Sequence, residues 1–172
     1  EFVKAMRGDT SIGIERYVLG IMLSHITRSA NALLKNVHDG RYQLYRSDDT
    51  SGKVRKYGLE LSIYDNATAS MRSASSLSGG EKFLVSLALS LALSAVVQAR
   101  NSTVSMESMF IDEGFGSLDE ASIADALKVL SSMTNSKTMI GIISHVELLK
   151  ENIPYGIEVT KGKQESTCRM LL

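Results

Sequence analysis

Apolar residues recur at spacings of three and four over residues 12–37, through Ile14, Val18, Ile21, Met22, Ile26, Ala30, Leu33, Leu34 and Val37. That period predicts one long amphipathic helix, with His25 packed on the same face. Asp39-Gly40 supplies its stop signal, and His38 falls on polar surface beside it. Residues 5–9 read as the end of an earlier helix. Beyond the stop the period changes to two. Residues 41–46 and 58–65 alternate apolar with polar, which predicts an antiparallel strand pair joined by a polar tip at 47–56. Residues 66–76, rich in Ser and Ala, read as loop. A long apolar helix follows from Gly79 to Arg100, opening at a Gly-Gly pair. Next come a short apolar strand at 106–112 and a helix starting at Asp119 or Glu120 and reaching Met133. The nearly all-apolar run at 137–144 has the composition of a buried parallel strand. A short helix at 146–151 and a hairpin of 155–161 with 166–172, turning at Gly162, close the chain. No internal repeat interrupts this order.

The elements are those of an α/β domain, and 172 residues amount to one domain or one lobe of a larger one. A hydrophobic content of 44% supplies a core. Basic and acidic residues balance at 19 each, so no net charge draws the chain to nucleic acid and any DNA contact must be a local patch. Arg41, Arg46, Lys53, Arg55 and Lys56 do gather on the predicted strand pair, offset by Asp48 and Asp49. A solvated hairpin tip is the favoured reading over a phosphate-tracking patch. The single Cys168 excludes an internal disulfide framework, fits a reducing, cytoplasmic setting, and reads as a buried strand residue. The methionines read as core filler. The longest apolar stretch, residues 83–97, is broken by Ser86, Ser90 and Ser94 and falls short of the ~20 residues a membrane span needs. A chain opening on Glu1-Phe2 rather than Met reads as an internal piece of a longer protein.

Four short motifs carry the chemistry. In Ser78-Gly79-Gly80-Glu81 the glycines open a helix, so free backbone N–H groups and the helix dipole favour an anion, and Ser78 adds a hydroxyl donor. Such a loop suits the γ-phosphate of ATP. Asp112 and Glu113 end an apolar strand, where neighbouring side chains point to opposite sides. The pair therefore divides into two roles: Asp112 to hold Mg²⁺ through water, Glu113 to polarise an attacking water as general base. Gly116, Ser117, Leu118 and Asp119 follow, with Asp119 placed to cap the next helix. His145 follows the second apolar strand and Ser144, positioned for a γ-phosphate hydrogen bond. No Gly-x-x-x-x-Gly-Lys-Ser/Thr phosphate loop accompanies them, and Lys53 in Ser51-Gly52-Lys53-Val54 is no substitute.

In order, these resemble the signature, Walker B, D-loop and switch-histidine elements of an ABC-type ATPase. The runs Leu77-Ser78-Gly79-Gly80-Glu81-Lys82-Phe83, Phe110-Ile111-Asp112-Glu113-Gly114-Phe115-Gly116 and Ile143-Ser144-His145-Val146-Glu147 closely resemble the C-terminal ATPase lobe of the SbcC family of DNA-repair ATPases. The segment Asn36 through Leu44 is similar to the place where that family's coiled-coil helix enters the lobe. The resemblance implies a P-loop NTPase head of ABC type, split in two. Residues 1–40 would be the end of a coiled-coil helix and residues 41–172 the C-terminal lobe, with the Walker A loop in an N-terminal lobe beyond a long coiled coil. It implies ATP and Mg²⁺ as cofactors, with Ser78, Gly79, Gly80 and Glu81 reaching a nucleotide held by the opposite head and Glu113 and His145 serving hydrolysis. It also implies a second head, an SbcD-type metallophosphoesterase nuclease and double-stranded DNA as partners, and no membrane. The lobe alone would then lack ATPase activity. The runner-up reading is an SMC-type chromosome-organising ATPase, which uses the same split head without a nuclease. The Gly-Phe-Gly after Glu113 weighs against it and against a transporter ATPase, whose coupling would be to a membrane.

Overall fold

The computed structural model describes residues 14–47, 60–100, 107–133, 138–163 and 165–171. Helix α1 (Ile14–Leu34) buries Thr27, Ala30 and Leu34 against the rest of the chain, and Val37 just beyond it is also buried. Asn31 fixes the helix to the strand that follows. Its side-chain amide donates to the Leu44 carbonyl at 2.9 Å, and its Oδ1 accepts the Leu44 N–H at 2.7 Å. His25, expected on the packed face, is exposed. The helix ends at Leu34, short of the expected Val37, so Asp39-Gly40 is not its stop. Those two residues belong to a separate 3₁₀ turn at His38–Gly40, where His38 (φ 44°), Asp39 (φ 54°) and Gly40 (φ 72°) are left-handed.

Strands β1 (Tyr42–Ser47), β2 (Glu60–Asp65) and β3 (Ser70–Ser73) form an antiparallel sheet in that order. The predicted pair is β1–β2, in a register that sets Leu44 opposite Ile63 and Tyr42 opposite Asp65. β3 lies inside the stretch expected to be loop. Ser-Met-Arg-Ser carries no apolar alternation, and the strand exists because the four-residue turn after β2 returns the chain along that strand's free edge. The basic tip residues Lys53, Arg55 and Lys56 lie outside the described residues.

Helix α2 (Gly79–Arg100) packs against α1 and α3 (Glu120–Met133). By length and composition α2 could cross a membrane. Its buried Leu84, Val85, Leu87, Ala88, Leu91 and Ala92 recur at helical spacing and join the core, and Ser94 is buried on the same helix. Each such leucine contributes about 1.5–3 kcal/mol by leaving water.

Strands β4 (Ser108–Asp112) and β5 (Met139–Ile143) pair in parallel on either side of α3, Phe110 facing Gly141 in register. The burial expected of the second strand, 137–144, does not hold on one face, and the first strand is likewise open there. Met109, Ile111, Ile140 and Ile142 pack on the core, whereas Phe110, Met139 and Ile143 are 66%, 60% and 55% exposed. α4 (Glu147–Asn152) leads to the hairpin of β6 (Gly156–Lys161) and β7 (Ser166–Leu171). Its Ile157, Val159 and Met170 are exposed, and so is Cys168, contrary to the burial expected of it. The methionines divide likewise: Met109 and Met133 pack on the core, but Met71, Met139 and Met170 face solvent.

Candidate functional site

Leu77 is buried and plants the signature loop in the core, leaving Ser78 and Gly79 exposed at the first turn of α2. Ser78 and Glu81 form a reciprocal cap. The Glu81 N–H donates to Ser78 Oγ at 3.3 Å, and the Ser78 N–H donates to Glu81 Oε2 at 2.8 Å. Tyr42 of β1 donates its phenol proton to the other carboxylate oxygen of Glu81. Both oxygens of Glu81 are therefore engaged within the chain. Burial pushes the Glu81 carboxyl up, but the hydrogen bonds from Tyr42 and Ser78, with Arg72 nearby, outweigh it and hold the group below the usual carboxylate range.

The glycines differ in what surrounds them. Nothing lies within 4 Å of where a Gly79 side chain would start. Gly80 faces Leu118 and Ser122, so the signature touches this chain's own D-loop. The D-loop passes through a short 3₁₀ turn at Phe115–Ser117, and Asp119 then caps α3 by accepting the Ser122 N–H at 2.8 Å. Hydrogen bonds from the Ser122 hydroxyl and then from its N–H hold the Asp119 carboxyl below the usual range. Together His38, Arg41, Tyr42, Ser78, Gly79, Gly80, Glu81, Ser117, Asp119 and Ser122 line one open polar pocket of about 420 Å³.

On the other side of the D-loop lie the Walker B residues. Asp112 ends β4 and is exposed. Glu113 lies past the strand in left-handed geometry (φ 59°), its N–H donating to the Ile143 carbonyl at 2.9 Å. Strand alternation alone predicts that the two carboxylates part; the positive φ at Glu113 redirects the second one. Glu113 Oε1 lies 3.7 Å from His145 Nδ1, both side chains well exposed at 69% and 76%. The Gly-Phe-Gly that follows now has a physical reason. Gly114 is left-handed (φ 97°), and a methyl group there would meet the Phe83 ring at 2.3 Å. Phe115 is fully buried edge-on to Phe83, with ring centres 4.8 Å apart. Gly116 lies beside His145, whose ring atoms would stand in ordinary contact, 3.4 and 3.5 Å, from a side chain there.

The structure thus gathers the expected residues into two neighbouring groups. Ser78, Gly79, Gly80, Glu81, Ser117 and Asp119 line the pocket. Asp112, Glu113 and His145 stand at the ends of β4 and β5, with Gly116 and Leu118 between the groups. No group of three or more His, Cys, Asp or Glu side chains suited to a metal occurs among the described residues. A single exposed carboxylate still fits Mg²⁺, which takes one or two carboxylates and fills its shell with water and substrate phosphates.

Sequence reasoning missed a cluster behind the signature. Asp65 is fully buried. Arg41 grips it in a fork, Nε to Oδ1 and Nη2 to Oδ2 at 2.9 Å each, while Arg72 Nη2 stands 2.9 Å from Oδ2. The Arg41 bonds hold the Asp65 carboxyl down. One signal was available. Asp65 shares the inward parity of Ile63, and a carboxylate there needs cationic partners. Arg41, grouped by sequence with a basic surface patch, is committed to this pair. His38, expected on plain polar surface, is half-buried in the pocket, its N–H donating to Asp125 Oδ2 at 2.7 Å.

Comparison with known proteins bears on these geometries. Residues 49–132 match the family described as "SbcC/RAD50-like, Walker B motif". The chain is 43% identical over 171 residues to the SbcC subunit of nuclease SbcCD from Staphylococcus haemolyticus (strain JCSC1435), covering 98% of this chain and 17% of that protein. It is 41% identical over 163 residues to the corresponding protein of Staphylococcus aureus (strain JH9), covering 95% and 16%. It thus spans about one sixth of the curated relatives' length. Among solved structures, an SMC ATPase from work on ATP-driven dimerization and DNA-stimulated activation superposes with a TM-score of 0.68 at 19% identity, over 91% of this chain and 89% of that one. The Thermotoga maritima SMC head domain gives 0.63 at 21% identity, over 92% and 51%. At those identities the structures establish the fold alone. The chain is thus similar in sequence to SbcC subunits of nuclease SbcCD and in fold to SMC head domains.

Proposed function

We propose that this lobe is the C-terminal half of a split ABC-type head, binding ATP in trans and hydrolysing ATP held by its own Walker A lobe. The observation that carries this reading is the separation of the two groups. The Ser78 pocket and the Asp112–Glu113–His145 edge both open to solvent, with the D-loop between them. One chain's signature and another's Walker B would then enclose each nucleotide in a two-fold dimer. Support for a second lobe comes from the bare faces. Parallel strands are rarely left uncovered, yet Phe110, Met139 and Ile143 face solvent.

In this reading Ser78 Oγ and the N–H groups at the start of α2 bind the γ-phosphate of the facing head's ATP. Asp112 holds the Mg²⁺, which neutralises charge building on the phosphates when bound. Glu113 orients and deprotonates water, and His145, 3.7 Å from it, reaches toward the γ-phosphate. Glu81 acts one step back, as the cap of Ser78. Loss of the γ-phosphate removes contacts to both heads and lets them part. Residues 1–40 would deliver the coiled coil, and the closing motion would gate an SbcD-type nuclease acting on double-stranded DNA ends and hairpins in the cytoplasm. The names of the 41–43% identical relatives favour this nuclease partnership over an SMC-type chromosome-organising role, which shares only the fold.

The test uses the lobe with and without its N-terminal partner lobe. The lobe alone should show no Mg²⁺-dependent ATP turnover, and the reassembled head should. In the reassembled head Glu113→Gln should accumulate an ATP-bound dimer. Turnover by the lobe alone contradicts the split site, and normal turnover by Glu113→Gln contradicts the base.

A further inference from the structure

The loop that leaves α1 is bonded to both elements that would face the same nucleotide. His38 is held by Asp125 on α3, the helix that Asp119 caps. Four residues later, Tyr42 is held by Glu81, the cap of Ser78. Tyr42 itself is tightly held. It is 3% exposed, and the guanidinium carbons of Arg41 and Arg72 lie 5.0 and 5.4 Å from its ring centre. Both arginines are anchored in turn on buried Asp65. Arg72 Nη2 also lies 4.0 Å from Glu81 Oε2, between the two carboxylates. It makes no aligned hydrogen bond with either among the described residues, so its hold is electrostatic. Burial and the bond to Glu81 raise the Tyr42 phenol to about 12, so it is a proton donor at any physiological pH.

A capping box alone satisfies two backbone or side-chain groups and leaves its Glu free to change rotamer. Here the second oxygen of Glu81 is pinned by a buried tyrosine from another element. Because Glu81 Oε2 accepts the Ser78 backbone N–H, the placement of the backbone that carries Ser78 Oγ therefore depends on Tyr42. We propose that Tyr42, clamped by Arg41, Asp65 and Arg72, is a positioning residue for the signature serine, orienting Ser78 through Glu81 toward the nucleotide of a second head. The inference rests on the trans role given to Ser78 above and assigns its control to the strand that follows α1. Tyr42 makes no contact with nucleotide in this scheme, so it acts on engagement of the heads more than on the bond-breaking step.

The experiment uses the full-length protein carrying Tyr42→Phe, Glu81→Ala, both, or Ser78→Arg. It reads the ATP concentration for half-maximal head dimerisation, turnover at saturating ATP, and the melting temperature. Loss of a buried hydrogen bond to a charged group predicts that Tyr42→Phe raises the half-maximal ATP concentration about tenfold. Turnover at saturating ATP should fall by much less. Because Tyr42 acts through Glu81, the double variant should be no worse than Glu81→Ala alone. Unchanged ATP dependence in Tyr42→Phe, or additive losses in the double variant, overturns the positioning role. Should Ser78→Arg heads dimerise normally, the trans reading of the signature fails instead, whatever Tyr42 does.

Discussion

A methyl group on Gly80 would stand 3.3 Å from Leu118 Cδ2 and 3.7 Å from Ser122 Oγ. The second signature glycine thus faces the D-loop leucine of the same chain. Leu118 leads directly to Asp119, the cap of α3. The two loops form one surface, supported from behind by Tyr42 and Glu81.

The signature glycines make a prediction that separates stability from function. Gly79 lies in open space at the start of α2. Gly79→Ala should leave the fold intact or stabilise it by up to about 1 kcal/mol, since alanine is the better helix former. If that helix start binds phosphate as proposed, the variant should still impair ATP-driven dimerisation, because a methyl group would stand between the two. Urea unfolding and a dimerisation assay on the reassembled head check both parts. A stable variant that dimerises normally would show that close backbone approach at Gly79 is not used.

Gly114 predicts the opposite balance. Its φ of 97° disfavours any side chain, and the Phe83 ring occupies the space at 2.3 Å. Gly114→Ala should destabilise the head by about 2–5 kcal/mol, combining backbone strain with overpacking. Phe83→Leu in the same chain should recover part of that loss by removing the ring edge, which a denaturant titration of both variants would detect. Additive losses would place the strain elsewhere.

The buried charges behind the signature set a pH window. Asp65 is held down by the bonds from Arg41. In Glu81 and Asp125 burial raises the carboxyl but hydrogen-bond partners outweigh it, so these too lie below their ordinary values. Groups with depressed folded-state values add stability above their unfolded values of about 4, and lose it as pH falls through the lower folded values. Tyr42 has the reverse sign. Raised to about 12, it adds stability that is complete below its unfolded value and is lost as pH climbs toward 12. Melting temperature against pH should therefore fall on both sides, and Tyr42→Phe should flatten the alkaline side. An alkaline limb unchanged in that variant would assign it to other groups.

Much of this was legible in the sequence because it depended on local period. The Gly-Gly start of α2 and the Asp119 cap of α3 mark their boundaries as read, and the β1–β2 and β6–β7 pairings follow from alternation. Features that depended on distant neighbours were not legible. β3 has no apolar pattern of its own and forms only because β2 offers an edge. The left-handed turn at Glu113 is set by its bond to Ile143, thirty positions along the chain by numbering. His25, Cys168 and Met139 are of types usually found packed, yet they face solvent. Nothing in residue type distinguishes a face covered by this chain from one left bare.

The most direct test of trans assembly mixes two inactive full-length proteins. Ser78→Arg heads keep Glu113 but lose the signature, and Glu113→Gln heads keep the signature but lose the base. If each nucleotide is enclosed by Walker B of one head and Ser78 of another, mixed dimers contain one intact site. ATP turnover should then return on mixing, although neither protein hydrolyses ATP alone. Turnover that stays at the level of the separate variants, despite mixed dimers forming, would show that Ser78 and Glu113 serve a nucleotide within a single head.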